Sequence, residues 1–256
     1  MVLEYRTEGP IAYFTLNRPE RHNSITPEMM ELFEKELMEF MEDDNLRVGI
    51  VTGAGEKSFC AGADVNEWLP FVKQTRNCQW RIPRTILRGL SSTKPLIAAV
   101  NGGAYGGGAE IALACDFRVA SEKASFSFPE PKLGILPRLG GTQRLPRLVG
   151  SGKALEIFLT GQKVDATQAL EIGLVNRVAA PENLMKAAEE MARQICQMAP
   201  LSVKAIRRCV YEGSEMSLEE GLALENELGL ALYDTKDYDE GRLAFKEKRT
   251  PNFRGC

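Results

Sequence analysis

The chain has 256 residues, with 32 Lys and Arg against 35 Asp and Glu for a formal charge of −3, and it is 44% hydrophobic and 26% charged. These values describe an ordinary globular protein with ample length for a buried core, and they give no global pull toward nucleic acid or an anionic membrane surface. No apolar run approaches the ~20 residues of a transmembrane helix, and the opening Met1–Arg6 lacks both a secretory apolar core and an Arg-rich transit pattern, so a cytoplasmic location is expected.

In chain order, residues 2–8 and 11–17 are β-rich runs around Gly9-Pro10 and predict a hairpin. A helix is predicted from Thr26-Pro27-Glu28, where Thr26 can cap and Pro27 suits the first turn. Its Met29, Met30, Phe33, Leu37, Phe40 and Met41 recur at helical spacing, as a core-facing stripe does. Residues 48–52 and 96–100 are short continuous apolar runs of the kind that form buried strands. Between them lie a Gly/Ala-rich loop, Gly53 to Asp64, and a helical pattern over 68–90 interrupted by Pro70 and Pro83. Glycines at 102–103 and 106–108 lead into a helix over AEIALAC, and 117–120 and 124–128 predict short strands. Beyond Leu145 the pattern turns to helices at 151–160, 165–171, 182–198, 200–212, 217–233 and 237–248, with little strand between them. The alternation up to about residue 145 predicts an α/β protein with a parallel core.

Several chemistries are excluded early. The six cysteines, at 60, 78, 115, 196, 209 and 256, form no CxxC and no Cys/His cluster, so neither a metal site nor a disulfide framework is expected. The single histidine, His22, stands in a polar loop, and no GxSxG elbow exists for it to serve, which removes a histidine triad. No GxGxxG fingerprint or Walker A sequence supports a dinucleotide or nucleoside triphosphate site.

Two loops carry the remaining signal: Phe59-Cys60-Ala61-Gly62-Ala63-Asp64 and Gly106-Gly107-Gly108-Ala109-Glu110. Three successive glycines at a helix start are locally costly, and free N–H groups there favour negative charge. Each loop could aim one N–H at the same oxygen, making an oxyanion hole; tight turning and close helix–sheet packing would also account for the glycines. Two carboxylates favour the chemical reading. Glu110 lies one turn along in an apolar setting, and Glu130 is flanked by Pro129 and Pro131 after an apolar strand. Paired carboxylates beside an oxyanion hole can perform acid/base work on an activated acyl group.

The segments NRPERHNSI (17–25), FCAGAD (59–64), KPLIAAVNGGAYGGGAEIALACD (94–116), SFPEPKLGILP (127–137), GGTQRLPRLVG (140–150) and FKEKRTPNF (245–253) resemble, in order, blocks of the enoyl-CoA hydratase/isomerase (crotonase) family. The resemblance implies an α/β crotonase-like spiral of ββα units over 1–195, a C-terminal helical module for trimerisation and coenzyme A covering over 196–256, and a homotrimer or a homohexamer built as a dimer of trimers. It implies that Ala63 and Gly107 donate the two oxyanion N–H groups to a thioester carbonyl. Glu110 would help activate water for addition at Cβ, and Glu130 would deliver the Cα proton, giving reversible hydration of the 2,3 double bond of an enoyl-CoA. Coenzyme A is part of the substrate, and no metal or other cofactor is required. Its contacts are expected at Ala61, Asp64, Val65, Asn66, Arg21 and His22, with Phe245 and Lys248 covering its tail. Nucleic acid and membrane partners are not expected, although some relatives bind RNA, and an acyl-CoA binder without catalysis is a further alternative.

Departures bear on the acyl group. Arg138 stands where short-chain hydratases often have glycine, and it could narrow the pocket, pair with a catalytic glutamate or bind a polar substrate group. Tyr105 and Trp68 are expected to shape the same pocket. A cyclic, branched or polar acyl group is a reasonable alternative to a linear one, and isomerisation, carnitinyl-CoA-type dehydration or cyclic dienoyl-CoA hydration are rival reactions through the same enolate.

Overall fold

The computed structural model describes residues 1–88 and 92–256. Strands β1 (Leu3–Glu8) and β2 (Ile11–Leu16) form the expected antiparallel hairpin. Helix α1 (Pro27–Glu42) follows, its Thr26 hydroxyl accepting from the Met29 amide at 3.2 Å and its Met29, Met30, Phe33, Leu37 and Phe40 buried. Strands β3 (Val48–Gly53), β5 (Leu96–Val100) and β7 (Phe117–Ser121) run parallel to β2, and β10 (Arg177–Ala179) completes a six-stranded sheet in the order β1-β2-β3-β5-β7-β10.

Alternation along these strands divides the core. Ala12, Phe14 and Leu16 of β2, Val51 of β3 and Leu96, Ala98 and Val100 of β5 join α1 on one face. Ile11, Tyr13, Val48, Ile50, Ile97, Ala99 and Val119 point to the other face, where helix α7 (Leu184–Cys196) lays down Leu184, Ala188, Met191 and Ala192. A strand buried on both faces needs apolar residues at every position, which is why these runs are continuous in the sequence.

Each central strand is followed by a shorter one in a second sheet; the sequence pattern foretells the one at 124–128 but not the other two. Strands β4 (Ser58–Cys60), β6 (Gly103–Tyr105) and β8 (Ser125–Ser127) pair in parallel, and β9 (Val164–Asp165) closes the sheet antiparallel to β8. The chain therefore repeats a unit of long strand, short strand and helix: β3-β4-α2 (Trp68–Thr75), β5-β6-α3 (Gly107–Ala114) and β7-β8 leading to α4 (Gly141–Val149). This is an α/β crotonase-like fold of repeated ββα units. Of the pattern over 68–90, α2 and a 3-10 turn (Gln79–Arg81) form, and residues 89 and 90 lie outside the described residues.

Helices α5 (Ser151–Thr160) and α6 (Ala166–Glu171) complete the core, and β9 and β10 add strands that the helical reading of this stretch passes over. The chain ends in α8 (Pro200–Gly213), α9 (Leu218–Leu232) and α10 (Lys236–Glu247). A polar latch holds α8 to the core: Arg207 Nε and the Tyr211 hydroxyl both donate to Asp116 Oδ1 at 2.8 Å, and Arg207 also donates to the Ser92 carbonyl. Among the described residues, no helix is long and apolar enough to cross a membrane.

Candidate active site

The turns that leave β4 and β6 meet at the carboxyl ends of the strands. Gly62 takes φ +94°, open to glycine alone at this position, since a Cβ there would stand 2.6 Å from the Tyr105 carbonyl. Ala63 is held from both sides: Ile25 N donates to Gly62 O at 2.8 Å and Asp64 N donates to Ile25 O at 2.9 Å. Among the described residues, the Ala63 and Gly107 amides have no acceptor, and a Cβ built on Gly107 would lie 3.7 Å from the Ala63 nitrogen. Two unengaged donors thus face one small region, one of them at the positive end of α3.

Each glycine of the triplet has its own reason. A Cβ on Gly106 would stand 2.7 Å from Glu130 Oε1, and the residue adopts φ +50° with ψ −121°. One on Gly107 would meet Ile25 Cδ1 at 2.8 Å, and one on Gly108 would overlap the Cys60 carbonyl. Gly106 N also donates to Ser127 O at 2.9 Å, which registers the glycine turn against the end of β8 and brings Glu130, three residues on, beside it.

Both carboxylates are buried, at 2% exposure for Glu110 and 8% for Glu130. Glu110 Oε1 accepts from the amides of Leu139 and Gly141 at 2.8 Å each. Burial pushes its carboxyl up to about 7, and Glu130 adds to the rise, while the Gly141 and Leu139 amides and the Arg144 guanidinium pull against it. Burial raises the Glu130 carboxyl as well, and its Oε2 is buried without a hydrogen-bond partner. A carboxyl held up to about 7, as that of Glu110 is, can accept or release a proton near neutral pH.

The other sequence candidates divide into three groups. Ala61, Asp64, Val65 and Asn66 form the oxyanion loop itself; Ala61 N donates to His22 O at 2.9 Å, and Val65 and Asn66 are exposed. The Asp64 side chain is occupied internally. Burial would raise it, but the amides of Asn66 and Glu67, with Arg18 and Ser24, bring it below the usual carboxylate range. Arg21 and His22 are exposed beside this loop, His22 with φ +52°.

Trp68 is buried in the core with Phe71, ring centroids 5.8 Å apart. Tyr105 turns back along β6, its ring over Gly103 and its hydroxyl 2.8 Å from Ser125 Oγ, so the phenol is directed away from the carboxylates. Arg138 is exposed and donates to Gln79 Oε1 at 3.3 Å; it pairs with neither glutamate. Of the three roles left open for Arg138, pairing with a catalytic glutamate is the one this geometry does not form, because the guanidinium leans toward the 79–81 turn instead.

Phe245 and Lys248 are exposed on α10 and just beyond it. That helix is tied to the chain's own C-terminal segment: Asp237 accepts from the amides of Arg254 and Gly255 at 2.7 and 2.8 Å, and Arg47 donates to Phe253 O at 2.9 Å. Arg47 precedes β3, at the opposite end of the strand from the oxyanion loops. Among the described residues, no group of three or more His, Cys, Asp or Glu could hold a metal ion.

Sequence reasoning misses the residues that build this site from behind. Buried Asn23 donates to Ala54 O and Ser58 O, and Arg18 spans Asp64 and Glu67 at 3.1 Å each. The Leu139 and Gly141 amides that hold Glu110 carry no side-chain signal, although the Gly140-Gly141 pair at the start of α4 marks the spot.

The family model for enoyl-CoA hydratase/isomerase matches residues 6–256. The (E)-benzylidenesuccinyl-CoA hydratase of Thauera aromatica is 43% identical over 256 residues, covering 100% of both chains. The short-chain-enoyl-CoA hydratase of Clostridium acetobutylicum is 41% identical over 247 residues, covering 94% of this chain and 93% of the relative. Among solved structures, an enoyl-CoA hydratase from Bacillus anthracis matches with a TM-score of 0.95 and 40% identity, covering 100% of both chains.

Proposed function

Because the chain belongs to the enoyl-CoA hydratase/isomerase family and is a crotonase-type hydro-lyase acting on an acyl-CoA thioester, we propose that Glu110 and Glu130 carry out reversible hydration of a 2,3-enoyl-CoA. The observation that carries this reading is two buried carboxylates beside two unengaged amides. The thioester oxygen accepts from the Ala63 and Gly107 N–H groups. Glu110, ionised, takes a proton from water as its oxygen bonds to C3; the C2–C3 π electrons move onto the thioester as an enolate, stabilised by those two donors. Glu130, protonated, then delivers a proton to C2, and the two carboxyls exchange one proton with solvent to reset. Elimination runs through the same steps in reverse.

Coenzyme A is proposed to lie along Ala61–Asn66, beside Arg21 and His22. Phe245 and Lys248 would cover its tail from a neighbouring subunit, since their own helix is tied down at the far end of β3. Assembly as a homotrimer or a dimer of trimers belongs to this proposal. Supporting it are the exposed apolar side chains of the terminal helices, including Ile206, Val210, Leu218, Leu230 and Phe245. A cytoplasmic location is also part of it; the cysteines are free thiols, the state that a reducing compartment maintains.

A second reading concerns the acyl group. Arg138 is exposed with a neutral partner, close in sequence to the amides that hold Glu110, and Trp80 beside Gln79 is 80% exposed. This supports an acyl group with a ring or a second polar end, as in the named substrate of the Thauera relative.

The test is turnover of crotonyl-CoA, a longer linear enoyl-CoA, a cyclohexadiene-carbonyl-CoA, crotonobetainyl-CoA and benzylidenesuccinyl-CoA, followed by loss of enoyl-thioester absorbance. Glu110→Gln and Glu130→Gln should each lower kcat by about 100- to 10,000-fold. Retention of rate in Glu110→Gln would point to isomerase chemistry through Glu130 alone, and silence across the panel would refute the proposed substrates.

A further inference from the structure

Glu110 does not hold itself in place. Its Oε1 rests on the amides of Leu139, in the irregular segment before α4, and of Gly141, the first residue of that helix. What fixes that segment is a side chain one turn into α4. Arg144 Nη1 donates to Leu139 O at 2.9 Å, so Leu139 donates to the carboxylate through its N–H and is gripped through its own carbonyl. Arg144 Nη2 donates to Ile86 O at 3.1 Å and Leu87 O at 3.3 Å, more than fifty residues away in the chain. The guanidinium lies where a side chain on Gly140 would have to be: a Cβ there would overlap Nη1, and Gly140 takes φ +110°.

The chemistry of this clamp exceeds what holding a loop requires. Three carbonyls could be bridged by neutral donors, yet the group is a half-buried cation, and among the described residues it forms no salt bridge. Desolvation lowers its own pKa, and the groups facing it are Glu110, Tyr211 and Cys115. Those facing Glu110 are Glu130 and Arg144. Within this set Arg144 supplies the one charge that favours ionised Glu110, while Glu130 opposes it.

We infer that Arg144 is a positioning residue for the reaction, clamping Leu139 and the start of α4 against Ile86 and Leu87 so that the Leu139 and Gly141 amides meet Glu110. The inference rests on the proposed role of Glu110 as the group that takes the proton of water. Guanidinium geometry matters as well as charge, because one planar fork reaches acceptors on two separate segments.

The experiment compares Arg144→Met and Arg144→Lys with wild type by kcat, KM and pH profile on the best substrate. It adds a 13C-carboxyl NMR titration of Glu110, assigned by its loss in Glu110→Gln. Arg144→Met should lower kcat by about 30- to 300-fold with KM within about threefold, and raise the Glu110 midpoint by about one pH unit. Arg144→Lys should restore that midpoint and recover only part of the rate. In the Glu110→Gln background, Arg144→Lys should cause less than a twofold further loss, about that of two residues acting as one unit.

A Glu110 midpoint unmoved by Arg144→Met, or a multiplicative loss in the double variant, overturns the inference. So does a lowered melting temperature with unchanged kinetics. If Arg144→Met does not fold, the Lys variant and the double variant decide. A wild-type rate in Glu110→Gln would instead overturn the proposed role of Glu110, a separate result.

Discussion

The spiral core and the terminal helices depart from the usual partition of side chains in opposite directions. The core buries two carboxylates, Glu110 and Glu130, and an arginine stands half-buried near them. Helices α8 and α9 contain no buried residue and expose Ile206 at 63%, Val210 at 61% and Leu218 at 81%. Burying charge is costly, and so is leaving apolar surface in water. Under the proposed function each cost lies where the single chain would be completed: the core by a thioester, the helices by another subunit. A structure's departures from apolar-inside, polar-outside are therefore informative about what it meets.

The largest expected effect is in the core. Gly106→Ala should lower kcat by about 100- to 1000-fold, because the new Cβ would displace Glu130 and strain the turn that presents the Gly107 amide. Turnover of the enoyl-CoA panel checks it.

Next in size is the stability that Glu110 forgoes. The folded chain holds its proton up to about 7, whereas an unperturbed glutamate releases it near 4.5. Its contribution is thus complete below 4.5 and declines as pH rises through about 7. Glu110→Gln should stabilise the fold by up to about 3 kcal/mol at pH 8, with the difference vanishing near pH 4. Urea melts at the two pH values measure it. The same titration predicts that hydration slows as pH falls below about 7, where the base becomes protonated.

A smaller effect distinguishes the two regions directly. Arg207→Met removes the donor to Asp116 and Ser92 and should cost about 2 kcal/mol. Hydrogen exchange should quicken in α8 and α9 while the central strands keep their protection. Smallest is Leu218→Ser, within about 0.5 kcal/mol of the monomer's stability, since this side chain is already in water. Its effect belongs to assembly, where light scattering should show a lower mass; an unchanged mass would remove Leu218 from any interface.

Legibility followed the same division. The hairpin, α1 and the buried strands at 48–53 and 96–100 are local patterns, and composition with periodicity finds them. The short strands β4 and β6 escape, because Ser58–Cys60 and Gly103–Tyr105 are too brief for a period and two of the six residues are glycine or alanine. Glu110 and Glu130 are legible as side chains in unusual settings, and the fold sets Glu130 against the Gly106 turn and Glu110 on the Leu139 and Gly141 amides. Their supports are not: Leu139 and Gly141 act through backbone, and Arg144 acts on carbonyls more than fifty residues away. Tyr105 illustrates the limit, since sequence puts it beside the glycines while strand direction turns its phenol away.

The triplet Gly106-Gly107-Gly108 also governs when the site can exist during folding. Its three neighbours come from three separate segments: Glu130 from beyond β8, Ile25 from the turn before α1, and the Cys60 carbonyl from the end of β4. None is near in sequence, so the turn closes only after all these segments have docked, with each loop between them already formed. No partly folded chain assembles the two amides and two carboxylates together. On refolding, activity should return with the final consolidation of the core, later than helix content and later than collapse.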